Sequence, residues 1–163
     1  MAADRAAYAA KQAALLEALL GDGELPAGFV AAKADAASRS LRRKRLGAVR
    51  HAWPALTVAL GPAFDAHFDA FARTTGPPAF GDGLTDGLAF VTSLEPDVAL
   101  GDDVRVEVLF ARAIVVRDHR DGGEWRLRRG PFLRVARLRH PHRLLFVVHL
   151  PRLERRCFAV RLG

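Results

Sequence analysis

The sequence predicts an α+β protein, with an N-terminal helical domain followed by a small C-terminal antiparallel β-sheet. Three observations predict it. Up to about residue 94, apolar residues recur at helical spacing. After Glu95-Pro96 they fall into short segments in which apolar and charged residues alternate. Glycine and proline pairs punctuate those segments throughout. The domains are therefore placed at 1–94 and 95–163, and a chain of 163 residues that is 50% hydrophobic can build a core for both.

The first helix runs from Ala6 to Leu20, with Gly21-Asp22-Gly23 as its C-cap and turn signal. Leu25 to Phe29 is a connector. A second helix starts at about Val30 or Ala34 and ends at Ala52, because Pro54 biases Trp53 away from helical geometry. Gly61-Pro62 breaks the chain again, with Pro62 suited to the first turn of a third helix. Phe64, Phe68 and Phe71 then share one face of that helix. Thr74 to Gly83 reads as a loop, and Leu84 to Leu94 as a short helix.

The second half is less uniform. Val104, Val106 and Val108 alternate like a strand, yet Asp102 suits a helix N-terminus and Val104, Val108 and Ala111 share a helical face. A short helix leading into a strand at about Ala113 is expected. Further strands follow at 124–129, 132–138, 144–150 and 156–162. In the first two, Trp125, Leu127, Leu133 and Val135 alternate with Arg126, Arg128 and Arg134, so one face should be apolar and the other wet and arginine-rich. His140-Pro141-His142 reads as a hairpin turn.

The net charge is +7, carried almost entirely by arginine, with lysine only at positions 11, 33 and 44. Residues 1–94 hold 10 basic and 9 acidic side chains, net +1; residues 95–163 hold 15 and 9, net +6. The surplus charge therefore lies in the β-rich half. Asp4, Arg5 and Lys11 interrupt the apolar stretch that a signal peptide requires, and no apolar run is long enough to span a bilayer, so a cytoplasmic protein without membrane contact is expected. A lone cysteine, Cys157, excludes an internal disulfide and a cysteine-based zinc site.

The basic run Arg42-Arg43-Lys44-Arg45 lies on the second helix, whose buried stripe is Leu46, Val49 and Trp53. Arg43, Lys44, Arg50 and His51 face the other way, towards water. Arg42 and Arg45 fall within or beside the apolar arc, where a charge needs a partner. Each is either paired internally with an acid of a neighbouring helix or a partner-binding anchor, and Arg45 is the one expected at the partner surface. A helix-turn-helix would need a short turn and a polar recognition helix next, but Trp53-Pro54 leads into the core-like Thr57 to Leu60. Nucleic-acid binding is disfavoured on this ground.

The histidines form no metal-ligand spacing, and His67 reads as a core-edge residue beside the phenylalanine stripe. Asp65, Asp69 and Arg73 form a surface ladder at helical spacing. The glycines of "GDGLTDG" (81–87) lack the Lys-Ser/Thr of a phosphate loop and mark a turn and a helix start. No nucleophile and base are paired. No catalytic residue, metal site or cofactor is expected.

Three stretches taken together carry a resemblance: "KQAALLEALL" (11–20), "LRRKRLGAVRHAWPALTVALGPAFDAHFDAFA" (41–72) and "GLAFVTSL" (87–94). They resemble a bacterial family often labelled a DNA-binding domain, through Trp53, Pro54, Leu60, Gly61 and Phe64. Val104 to Glu107 stands where that family has an Ala-Arg-Leu-Glu helix. The resemblance covers most of residues 5–110, and the tail after Arg117 matches in style alone. It implies a non-catalytic partner of a multinuclear non-heme iron enzyme that modifies cysteines in ribosomally made peptides. It also implies a β-rich half similar to a precursor-peptide recognition domain. Arg126, Arg128 and Arg134 are then the candidates for binding an acidic precursor peptide, which an open sheet edge can take as an added strand. The alternative function is a DNA-binding module or transcriptional regulator.

Overall fold

The computed structural model describes residues 2–20, 23–78, 83–94, 100–118, 124–137 and 144–149. Six α-helices come first: α1 (Ala2–Leu20), α2 (Ala31–Ala52), α3 (Pro54–Leu60), α4 (Phe64–Thr74), α5 (Gly83–Leu94) and α6 (Asp102–Ile114). Four strands follow: β1 (Val115–Asp118), β2 (Glu124–Leu127), β3 (Phe132–Arg137) and β4 (Leu144–His149). The α+β class and the helical-then-β order are as the sequence predicts.

Pro54 does more than end α2. It occupies the first turn of α3, where its missing N–H costs nothing and its fixed φ suits a helix. Leu56 on that short helix is fully buried. Gly61–Ala63 is a single 3₁₀ turn, with Gly61 at φ 51°, and Pro62 sits within it rather than at the start of α4. The helix expected from Pro62 is thus α4, entered through this turn, and α3 is a further helix that the sequence reading did not place.

The main core gathers Val49 and Trp53 from the end of α2, Leu56, the α4 face Phe64, Phe68 and Ala72, and Leu88, Phe90 and Val91 of α5. Phe90 meets Phe64 and Phe68 edge-on, at centroid distances of 5.7 and 5.2 Å, a geometry that adds about 0.5–1.5 kcal/mol per pair beyond burial. His67, expected at the core edge, is exposed instead. The phenylalanine stripe occupies the side of α4 that faces α5, and the residue just before Phe68 turns away from it.

The same core continues past residue 94. Leu100, Val104, Val108, Ala111 and Val115 all belong to it. A second apolar cluster uses the other side of α6: Leu109 and Ala113 pack with Leu145 and Val147 of β4, backed by Val106, Phe110, Phe132 and Ala136. Helix α6 is therefore sandwiched between the helical core and the β3–β4 pair. That explains the strand-like alternation of its first residues, since a helix buried on two sides has no single polar face.

The described strands form two antiparallel pairs, β1–β2 and β3–β4, rather than one sheet. In β3–β4, Phe132 pairs with His149, Arg134 with Val147 and Ala136 with Leu145. Strand residues alternate between faces, so Phe132, Arg134 and Ala136 share the side that rests on α6. The expected orientation is reversed: Leu133 and Val135 point outward and are exposed, 68% and 50% respectively. The cause is α6, whose Leu109 and Ala113 select the face carrying Leu145 and Val147. The fifth strand expected at 156–162 and the turn at 140–142 lie outside the described residues.

Candidate functional site

The basic run Arg42-Arg43-Lys44-Arg45 resolves into three different environments. Arg45 is an internal residue. Its Nε and Nη2 donate to the two carboxylate oxygens of Asp86, each at 2.9 Å, and Nη1 donates to the Thr75 carbonyl at 3.0 Å. The side chains are 11% and 6% exposed, so this fork joins two desolvated charges. Of the two readings of Arg45, the internal pair is the one the geometry supplies, and a partner would find little of its guanidinium to touch. Arg42 is more open. It donates to Ser38 Oγ at 2.9 Å and lies 3.7 Å from Asp69. Arg43 and Lys44 are exposed, as their position opposite the buried stripe predicts.

Asp86 can reach Arg45 because α5 approaches α2 very closely. A Cβ on Gly83 would stand 2.1 Å from the Ala48 carbonyl oxygen, and one on Gly87 would stand 2.1 Å from Trp53 Nε1. Two glycines one turn apart thus form the contact surface. The Trp53 indole lies against Gly87 and donates through Nε1 to the Gly83 carbonyl at 3.1 Å. The "GLTDG" stretch is the helix start that the sequence predicts, and it is also a helix-packing device. Its signal was legible as two glycines four residues apart inside an apolar helix, with an acid between them.

Glu107 has a comparable role at the start of α3. Its carboxylate accepts from the Ala55 and Leu56 N–H groups at 2.7 and 2.9 Å, two donors that the first turn of a helix leaves without intrahelical partners. The negative charge also favours that helix end. Sequence reasoning placed Glu107 on a helix but had no means of finding a partner about fifty positions away.

Two open surfaces lie beside the candidate residues. Between α2 and α4 lies a cleft of about 270 Å³ lined by Arg39, Arg42, Arg43, Leu46, Asp65, Phe68, Asp69 and Arg73. Asp69 is held by Arg73 at 2.6 Å, and Asp65 by Arg50, whose guanidinium also lies over Phe64. The second surface is the outer side of β3–β4, where Leu133 and Val135 stand beside the partly buried Val148 and Phe146 of the paired strand.

The three candidate peptide-binding arginines do not share one face. Arg126 is exposed on β2 and pairs in register with Val116. Arg134 is exposed on β3, in the other strand pair. Arg128 lies between them and is engaged: Nη2 donates to the Arg112 carbonyl at 3.0 Å and the guanidinium sits 4.5 Å from the Phe132 ring centroid. Its N–H also donates to the Ile114 carbonyl at 2.8 Å. Arg128 thus ties the β1–β2 pair to α6 and β3. Its Nε is buried and finds no hydrogen-bond acceptor among the described residues.

Among the described residues no helix is long and apolar enough to cross a membrane, and no group of three or more His, Cys, Asp or Glu is gathered closely enough to hold a metal ion. Fold and surfaces together define an α+β protein in which one helical core carries two antiparallel strand pairs. The model of a bacterial family described as SCO6045-like, C-terminal domain, matches residues 9–96, more than half of the chain, and the chain belongs to that family. The matched span takes in most of α1 and all of α2 to α5. No curated protein matches the chain. No solved structure matches it.

Proposed function

We propose that the protein is a non-catalytic partner in ribosomal peptide modification, binding an acidic precursor peptide and working beside a multinuclear non-heme iron enzyme. The observation that carries the peptide half of this reading is the free side of β3. Among the described residues β3 pairs with β4 alone. Its exposed residues include Leu133, Arg134, Val135 and Arg137. An extended peptide added along that edge gains backbone hydrogen bonds, with acids opposite Arg134 and apolar residues beside Leu133 and Val135. Arg126 supplies further positive charge on the neighbouring pair. The iron enzyme enters through the sequence resemblance, and the surplus of arginine in the β-rich half is consistent with an acidic peptide.

The test is reconstitution with a cysteine-containing precursor peptide and a multinuclear non-heme iron enzyme. The expected result is a ternary complex and loss of cysteine modification when the chain is omitted. Arg134→Glu should lower peptide affinity about ten-fold, the loss of one charge-assisted contact, without changing the melting temperature. Specific duplex binding that survives excess competitor DNA, with no peptide binding, would replace this reading with the DNA-binding alternative.

A further inference from the structure

The α2–α4 cleft lies on the helical half, away from β3, and does not depend on the peptide reading. It is lined by four arginines and two aspartates, a formal balance of +2. The aspartates are already satisfied: Asp65 by Arg50, and Asp69 by Arg73 and, at longer range, Arg42. Arg39 and Arg43 have no ion pair or hydrogen bond among the described residues. They stand one helical turn apart, on the same side of α2. Two cations one turn apart, beside the partly buried Leu46, form a surface with unspent charge and an apolar neighbour.

We infer that this cleft is a docking site for a helix of a protein partner, one that presents two acidic side chains a turn apart next to an apolar residue. Charge complementarity selects the sign, since among the described residues the uncompensated charges lining the cleft are positive. The spacing selects the form, because residues four apart on a helix match the separation of Arg39 and Arg43. Leu46 disfavours the main competitor. A phosphate backbone laid here would meet the same two cations but gain nothing from Leu46, whereas a carboxylate-and-leucine face can place each group against its counterpart. Arginine also suits the role, as its planar fork takes a carboxylate in two parallel hydrogen bonds.

The probe is a short labelled alanine-based helix bearing two glutamates one turn apart beside a leucine, titrated into the full chain by anisotropy and by amide chemical-shift mapping. A glutamine twin and a random DNA duplex serve as comparators. Shifts should cluster at residues 39–46 and 65–73. The glutamate helix should bind at least ten-fold tighter than its twin. Arg39→Ala and Arg43→Ala should each weaken it about ten-fold, with unchanged melting, because neither side chain has an internal partner to abandon. Lys44→Ala, off the cleft, should leave the affinity as it was. Equal binding of the two helices, shifts confined to the strands, or no binding at millimolar probe would overturn the inference. Preferential competition by the duplex would show the basic run to be a phosphate grip. Failure at the cleft leaves the β3 edge untested by these variants, so the peptide reading fails or survives separately, in its own reconstitution.

Discussion

The α2–α5 seam and the outer face of β3–β4 are built on opposite terms. At the seam every polar group that loses water gains a partner: Arg45 finds Asp86, and the Trp53 N–H finds the Gly83 carbonyl. The apolar surface there is closed to within contact of two glycines. On the outer face of β3–β4, leucine and valine side chains stand in water and the strand keeps an unpaired edge among the described residues. One region spends its sequence on uniqueness of packing. The other keeps adhesive surface in reserve. The difference locates stability in the helical half and reach in the strands, and the two can be separated by mutation.

The largest effect should come from Arg45→Ala. Removing one member of a desolvated pair leaves Asp86 buried without its counter-charge, at a cost of about 3–5 kcal/mol. For a chain of this size that is a loss of roughly ten degrees or more in melting temperature. Replacing both residues together, Arg45→Met with Asp86→Leu, should recover much of it, since the buried charge then disappears rather than being stranded. A double-mutant cycle by chemical denaturation measures this directly. If Arg45→Ala melts like the wild type, the seam is not the rigid member of the comparison.

Gly87→Ala should have a smaller effect at the same seam. The added methyl would meet the Trp53 indole well inside contact distance, so α5 and α2 must separate or the ring must turn. Overpacking of that kind costs about 1–3 kcal/mol, against which alanine's better helix propensity returns under one. Trp53 fluorescence should shift to longer wavelength as its Nε1 hydrogen bond to Gly83 is disturbed. Stabilisation by Gly87→Ala, with the emission unchanged, would mean that the helices are less tightly apposed.

How far the sequence foretold these two regions follows from the range of the interactions involved. The helices read at 6–20, from about 30 or 34 to 52, and at 84–94 were legible, because periodicity and proline or glycine stops act locally. So was the burial of Trp53 at the end of its stripe. Arg45 was expected at a partner surface, with an acid of a neighbouring helix as the other reading. It pairs internally, and Asp86, forty-one positions away, could not be named from the sequence. The stretch 81–87 was read as a turn and helix start, and α5 does begin at Gly83. The close approach of α2 at Gly83 and Gly87 was missed, because only the facing helix reveals it. The orientation of β3 failed for a similar reason. Alternation shows that a strand has two kinds of face, but the face that is buried depends on what packs against it, here Leu109 and Ala113 of α6. Of the candidate site residues, Arg134 stayed on an open surface, while Arg128 was drawn inward by the Arg112 carbonyl and the Phe132 ring.

The smallest effect on stability should come from the exposed face, and it sharpens the comparison most. Leu133→Thr and Val135→Thr keep β-compatible side chains while removing apolar surface that is already in water. With little burial to lose, each should change stability by no more than about 0.5 kcal/mol, a shift of roughly 2 °C or less. Substitution of a buried counterpart, Val147→Thr, should cost more, because the hydroxyl then enters the cluster with Leu109 and Ala113. Peptide affinity should follow the opposite order. The two exterior substitutions should weaken it, as they remove the apolar contacts that an added strand would use, and Val147→Thr should affect it only as far as it unfolds the protein. Thermal melts and anisotropy on the same three variants decide the matter. A drop of many degrees for Leu133→Thr would show that this face is covered in the folded protein, and β3 would then join the seam as structure rather than stand apart from it as a binding edge.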